Sequence, residues 1–243
     1  MPEGPSIVIA KEEMTVFVGK KIIEANGNAK IDIDSIEGKV LTDVKSWGKH
    51  LLLCFDDFTV RIHFLLFGSY LVNETKSAAI RLGLVFKNGH INFYAASVKI
   101  LEGNADAQYD WSADVMNDDW NSATALKKLS DNKQELICDV LLDQDIFSGV
   151  GNIIKNEVLF RVGVHPNSLV DKIPSKKLKE IVEQARIYSF DFLKWKKDFV
   201  LKKHWLVHTK KVCVQCDNKL IKEYTGKKKR RSFFCTTCQK LYV

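Results

Sequence analysis

The chain has 243 residues, 46% apolar and 10% aromatic, enough for two compact domains with a buried core, which excludes a wholly disordered protein. No stretch is long and apolar enough to span a membrane, and the opening MPEGPSIVIAKEE lacks the basic-then-apolar order of a signal peptide. Net charge is +7, but residues 194–243 hold fifteen Lys/Arg against three Asp/Glu while the remainder is net acidic, an asymmetry that points to a polyanion-binding C-terminal part.

Met1-Pro2-Glu3-Gly4-Pro5 opens the chain. Loss of Met1 exposes the secondary amine of Pro2, which titrates near ~8 where a lysine titrates near ~10.4, so far more of it is nucleophilic at neutral pH. Glu3 stands beside it as a proton shuttle. By themselves five terminal residues carry no function. Residues 7–20 predict a short helix with Ser6 at the N-cap. A long β region follows, with strands expected over 40–47, 50–55, 58–64, 80–86 and 90–96. The alternation in Phe58-Thr59-Val60-Arg61-Ile62-His63-Phe64 has the period of a half-buried strand. Asp56-Asp57 and Asn88-Gly89 mark turns, and several short strands between tight turns indicate an antiparallel sandwich or barrel.

Residues 103–121 read as a boundary, and from Ser122 the pattern becomes helical, through Leu126, Leu129, Leu136, Val140 and Leu141. Gly149-Val150-Gly151-Asn152 interrupts it. A second helix is expected over 152–162, stopped by Gly163-Val164-His165-Pro166. The glycine-flanked turn, with Asn152 at the N-cap, reads either as an ordinary sharp turn or as a phosphate seat of exposed backbone N–H groups. Pro174-Ser175 starts a longer helix whose buried side is expected to carry Leu178, Ile181, Val182, Ala185, Phe192, Trp195 and Phe199.

Cys213-x2-Cys216 and Cys235-x2-Cys238 have the spacing of a four-thiolate zinc site. Each tight turn presents two sulfurs, and two turns complete a tetrahedron, so one structural Zn2+ per chain is expected with no position left for catalytic water. Cys54 and Cys138 lie in apolar patterns and read as core residues. Between the cysteine pairs two strand-like runs, 219–224 and 232–234, flank a basic loop over 226–231. That loop reads as a solvated surface turn or, tied to zinc, as a nucleic-acid contact through its arginines.

Taken together these motifs resemble the formamidopyrimidine-DNA glycosylase/endonuclease VIII family, over nearly the whole chain and in order. Met1-Pro2-Glu3-Gly4-Pro5 matches the family's N-terminal motif. Gly48-Lys49-His50-Leu51-Leu52 looks like its strand with a phosphate-binding lysine. Leu142-Asp143-Gln144 through Asn152-Ile153, with Glu157, Leu159-Phe160-Arg161 and His165-Pro166, is similar to its helix–two-turn–helix signature. Arg230-Arg231-Ser232-Phe233-Phe234-Cys235 looks like its zinc finger.

The resemblance implies an α+β fold with three parts: a helix plus antiparallel β-sandwich over 1–112, a helix–two-turn–helix domain over 113–207, and a four-cysteine zinc-finger β-hairpin over 208–243, with DNA in the cleft between them. It implies a bifunctional DNA glycosylase/AP lyase on double-stranded DNA with damaged bases or abasic sites. Pro2 would form a Schiff base, Glu3 and Lys49 would serve catalysis, and β,δ-elimination would cut the strand. Lys49, Asn152 and Arg230 would hold phosphates, with Arg231 the alternative to Arg230. Leu65, Leu66 and Phe67 would fill the gap left by a flipped base. Gly4-Pro5 and Tyr94-Ala95-Ala96-Ser97-Val98-Lys99 are more similar to the endonuclease VIII branch, which favours oxidised pyrimidines. The alternatives are an oxidised-purine glycosylase or a catalytically silent damaged-DNA-binding protein. Neither a small-molecule cofactor nor an oligomer is implied, and a cytoplasmic protein, nucleoid-associated in a bacterium, is expected.

Overall fold

The computed structural model describes residues 2–243, so the removal of Met1 lies outside the described residues. The chain forms two compact units, one ending at Tyr109 and the other Asp110–Val243. No described helix is long and apolar enough to cross a membrane.

In the first unit, helix α1 (Gly4–Met14) starts earlier than expected, and its N-cap is Glu3, not Ser6. Pro5 explains the shift: its fixed φ and missing N–H suit the first helical turn, where the amide has no partner in any case. The helix also stops sooner than position 20. Thr15 Oγ1 turns back onto Lys11 O at 3.1 Å, a 3-10 turn follows over Thr15–Phe17, and Gly19 takes φ +76°.

Eight strands make two antiparallel four-stranded sheets. One has the order β1 (Ile22–Asn26), β6 (Ile80–Phe86), β7 (Gly89–Tyr94), β5 (Ser69–Val72); the other is β2 (Asp43–Trp47), β3 (His50–Cys54), β4 (Phe58–His63), β8 (Ser97–Glu102). This is the expected sandwich. Ile7, Ala10 and Met14 of α1 join Leu82, Leu84 and Phe93 of the first sheet and Leu51, Val60 and Ile62 of the second in one buried core. Strands β1, β5 and β8 were not expected. All three are edge strands, and β1 carries a register shift between Ile22 and Glu24, which blurs the alternation a sequence pattern relies on. Val40 joins no strand and makes only an isolated bridge to Lys21.

The second unit contains α2 (Ser122–Asp131), α3 (Ile137–Val140), α4 (Asn152–Val162), α5 (Ser175–Lys197) and a hairpin of β9 (Ile221–Thr225) and β10 (Arg230–Phe234). Asn121 caps α2, its side chain accepting from Thr124 N at 2.9 Å. Helix α4 matches its expected span because glycines bracket it. Gly163 ends it at φ +73°, a left-handed position that costs glycine little. Asn152, however, is the first helical residue, and Gly151 is the N-cap. On α5, Leu178, Ile181, Val182, Ala185 and Phe192 are buried and Trp195 is partly so, but Phe199 lies beyond the helix and is exposed. A 3.6-residue pattern continued past Lys197 places it wrongly because the helix has already closed. The basic connection is also shorter than 226–231: Arg230 and Arg231 belong to β10, opposite Thr225 and Tyr224.

Candidate functional site

The N-terminal motif sits at the head of α1. Pro2 is half-buried, and Glu3 is only 2% exposed although its side chain does not cap the helix. Helix α1 packs against β2 and β3. Lys49 lies in the two-residue turn joining those strands, half-buried, rather than on a strand. Gly48 allows that turn with φ +52°. His50 pairs with His63 across β3 and β4, so the Lys49 turn and the segment after β4 share one end of the sheet.

That segment holds the expected wedge. Phe64 is buried against Tyr70 and Phe93, and Gly68 N–H donates to Phe64 O at 2.7 Å, closing the loop on itself. Leu65, Leu66 and Phe67 stand out from this closed base, 47%, 53% and 86% exposed. Three apolar side chains in water, on a loop fixed at both ends, are of no use to the core.

Burial first, and then Arg61, His63 and Lys49, push His50 down to about 3; burial, Lys49 and Arg61 also lower His63. The His50 ring therefore stays neutral in the folded chain well into the acid range, whereas the unfolded chain protonates it below ~6.5. Its stabilising contribution is complete above that pH and is lost as pH falls towards about 3. The denaturation midpoint should drop between pH 7 and 4, and His50→Gln should flatten the profile. An unchanged slope in the variant would remove His50 from that role.

In the second unit the helix–two-turn–helix turn is braced by Gln144. Its Nε2 donates to Leu142 O at 3.0 Å and Val150 O at 3.2 Å, and its Oε1 accepts from Gly149 N at 3.1 Å. Asn152 Nδ2 donates to Arg231 O at 2.8 Å, joining the start of α4 to β10. Fully buried Lys155 donates to Ser232 Oγ at 2.8 Å, and Ser232 in turn lies 2.6 Å from Thr225 Oγ1. Buried Glu157 accepts from the backbone N–H groups of Leu206, Val207 and His208 at 2.8, 3.1 and 2.8 Å. Those donors oppose the rise in its pKa that burial produces.

The hairpin tip is pinned as well. Asp139 of α3 accepts from Lys227 N at 2.7 Å and Lys228 N at 3.1 Å. Gly226, at φ +70°, leaves no room for a Cβ, which would collide with the Asp139 carboxylate. Gly226→Ala should therefore destabilise the tip by about 1–3 kcal/mol, read as faster hydrogen exchange of the β10 amides. Unaltered exchange would show that the contact does not hold the tip. Asp139 and Lys155 escaped sequence reasoning. The only signal was a charged residue inside an otherwise apolar helix pattern.

Consecutive residues of a strand face opposite ways. Arg231 Nη2 donates to Tyr224 Oη at 2.9 Å, with the guanidinium 5.4 Å from the ring centroid. Arg230 shares its face of β10 with Ser232, the partner of Lys155 on α4.

The four cysteines converge behind this hairpin. Their sulfurs all lie within 4.8 Å of one another, with Cys213–Cys238 at 3.8 Å and Cys216–Cys235 at 3.5 Å. A tetrahedron with Zn–S bonds of about 2.3 Å has edges of about 3.8 Å, so the donor set fits one zinc ion. Crowding by the other sulfurs pushes the Cys238 thiol up to about 12, and four thiolates at this spacing require a cation. Phe160, Val207, Leu220 and Phe233 bury the inner side of the site.

Two family models match the chain: "Formamidopyrimidine-DNA glycosylase N-terminal domain" over residues 1–97 and "Formamidopyrimidine-DNA glycosylase H2TH domain" over 112–188. The chain is 32% identical over 212 residues to Endonuclease 8-like 3 of Mus musculus, covering 84% of this chain and 35% of that protein. It spans 35–39% of the length of Endonuclease 8-like 3 proteins from Mus musculus, Xenopus laevis, Homo sapiens and Bos taurus. It is also 24% identical to Endonuclease 8-like 2 of Bos taurus, over 98% of this chain and 96% of that one. A solved structure of Lactococcus lactis formamidopyrimidine-DNA glycosylase, non-covalently bound to DNA with an AP site, superposes with a TM-score of 0.86 over 98% of this chain and 99% of that chain. At 19% identity that likeness concerns the fold.

Proposed function

We propose, from the premise that this chain belongs to the formamidopyrimidine-DNA glycosylase/endonuclease VIII family, that it is a bifunctional DNA glycosylase and AP lyase that excises oxidised pyrimidines from duplex DNA. The observation that carries the reading is the start of α1: a proline at position 2, whose nitrogen is a secondary amine once Met1 is removed, beside a buried carboxylate that the helix does not use as a cap. A silent DNA-binding protein has no need of that pair.

In this reading Met1 is removed and the Pro2 nitrogen attacks C1′ of the damaged nucleotide, and the base leaves with the glycosidic electrons. Glu3 delivers a proton to the sugar ring oxygen, the ring opens, and Pro2 is left as an iminium on C1′. The iminium is an electron sink. Removal of a C2′ proton expels the 3′ phosphate, a second elimination expels the 5′ phosphate, and water hydrolyses the iminium to free Pro2. Lys49 is assigned to a phosphate beside the reacting sugar.

Asn152 and Arg230 are assigned to neighbouring phosphates. Arg230 is preferred over Arg231 because its face of β10 is the one tied to α4 through Ser232, whereas the Arg231 guanidinium is held by Tyr224. Leu65, Leu66 and Phe67 occupy the gap left by the flipped base. Residues 1–112 are then the catalytic part, 113–207 the DNA-clasping helices and 208–243 a zinc finger whose one ion sets the hairpin.

The preference for pyrimidines rests on Tyr94–Lys99 and on relatives named Endonuclease 8-like. Borohydride trapping on duplexes carrying thymine glycol or 8-oxoguanine tests it. A faster covalent adduct with thymine glycol is expected. Faster trapping on 8-oxoguanine would transfer the assignment to oxidised purines, and no adduct with either would overturn the enzyme reading.

A further inference from the structure

Helix α5 ends in a way that its sequence does not favour. Phe199 N–H donates to Lys196 O at 3.1 Å and Val200 N–H to Trp195 O at 2.8 Å, the paired closure that places the residue after the C-cap in the left-handed region. Glycine is the residue suited to that position, and α4 uses Gly163 for it. Here Asp198 is the C-cap and the next residue is Phe199, at φ +58°. Phe199 is also the most exposed large apolar side chain among the described residues, at 96%. A strained backbone that holds a phenyl ring in water contributes nothing to folding.

Charge and rigidity supply the rest. Exposed Lys194, Lys196, Lys197, Lys202 and Lys203 lie within five residues of Phe199 in the chain, with Asp198 the one acidic residue among them. The segment beyond is ordered by a 3-10 turn over Leu201–His204 and by the His204 ring, which stacks on Trp195 with centroids 4.1 Å apart and planes 4° from parallel. The phenyl ring is therefore presented on a fixed turn in a lysine-rich segment.

We propose that Phe199 is a stacking residue for an unpaired nucleobase, with the flanking lysines holding the phosphates of the same single strand; this deepens the DNA-binding part of the function proposed above and rests on it. A single-stranded segment offers both complements at once, a flat π face and regularly spaced negative charge. A membrane surface would call for a broader apolar face than one ring. An acidic peptide would satisfy the lysines and leave the ring without a flat partner.

The test uses the full chain and an undamaged, dye-labelled oligothymidine, beside a fully paired duplex of equal length. Phe199→Gly should weaken binding to the single strand by about tenfold and to the duplex by much less. The dependence of affinity on salt should stay the same, since no charge is removed. Melting temperature should not fall, because glycine suits the position; Phe199→Asn, which also tolerates it, serves as the second variant. Phe199→Trp should restore binding, with added indole emission that the oligothymidine quenches. Lys202→Ala with Lys203→Ala should instead reduce the salt slope by about 1.4. Single-strand affinity within twofold of the parent in the glycine and asparagine variants would overturn the proposal, as would a loss confined to anionic vesicles. Failure of borohydride trapping with Phe199-dependent binding intact would overturn the enzyme reading and leave this one standing.

Discussion

Replacing Pro2 by glycine is expected to suppress the borohydride-trapped adduct while the chain still binds DNA. The physical reason is the chemistry of the nitrogen. Attack by a ring-held secondary amine gives an iminium that is charged without a further proton, whereas the primary amine that glycine would expose gives an imine that must first be protonated. Retaining Met1 should have a still larger effect, because it makes the Pro2 nitrogen a tertiary amide with its lone pair delocalised into the carbonyl. Mass spectrometry of the intact protein, compared with trapping yield across preparations, links the two: yield should track the fraction beginning at Pro2. Glu3→Gln should bind DNA normally and lower turnover by about 10²-fold or more, the usual loss for a missing general acid. Full trapping by Pro2→Gly would show that a secondary amine at position 2 is not required, and unchanged turnover in Glu3→Gln would end the proton-shuttle role.

Removing the zinc site is expected to have the largest effect on stability. Metal binding by a four-ligand structural site is worth about 10 kcal/mol or more. The polar pins on the hairpin, from Asp139, Asn152 and Lys155, contribute on the order of 1 kcal/mol each. They cannot hold β9 and β10 against loss of the ion. Cys235→Ser, or chelation of the parent protein, should therefore release the hairpin. It should also loosen α4, whose Phe160 shares a buried cluster with Cys213 and Cys235. DNA affinity should fall with it. The sandwich core draws on none of these residues, so its melting should persist. Chelation without loss of hairpin protection in hydrogen exchange would show that the pins, and not a metal, set the structure.

Much of the site could be read from the sequence because its signals are local. Cysteine pairs two residues apart form a ligand turn wherever they lie, and glycines at 149, 151 and 163 bracket a helix almost regardless of context. The alternation over 58–64 needs only a buried face to become β4. Where the reading failed, the competing influence was local too, but of another kind. Pro5 displaced Ser6 as the start of α1, Gly151 took the cap from Asn152, and the closure of α5 turned Phe199 outward.

The sequence by itself determined the order of the parts and the two cysteine pairs, and it singled out Pro2 as the amine to test, because each is a property of residue type and short spacing. Only the tertiary structure decided which residues meet. The pairing of His50 with His63 sets the Lys49 turn and the Leu65–Phe67 wedge at one end of a sheet. Asp139, Lys155 and Glu157 became supports of the hairpin and its approach because α3, α4 and the four-cysteine segment pack together across 49 to 89 positions of chain. Contacts that remote leave no period in a sequence. They follow from burial, which requires each charged group left inside to find its partner wherever the fold brings one.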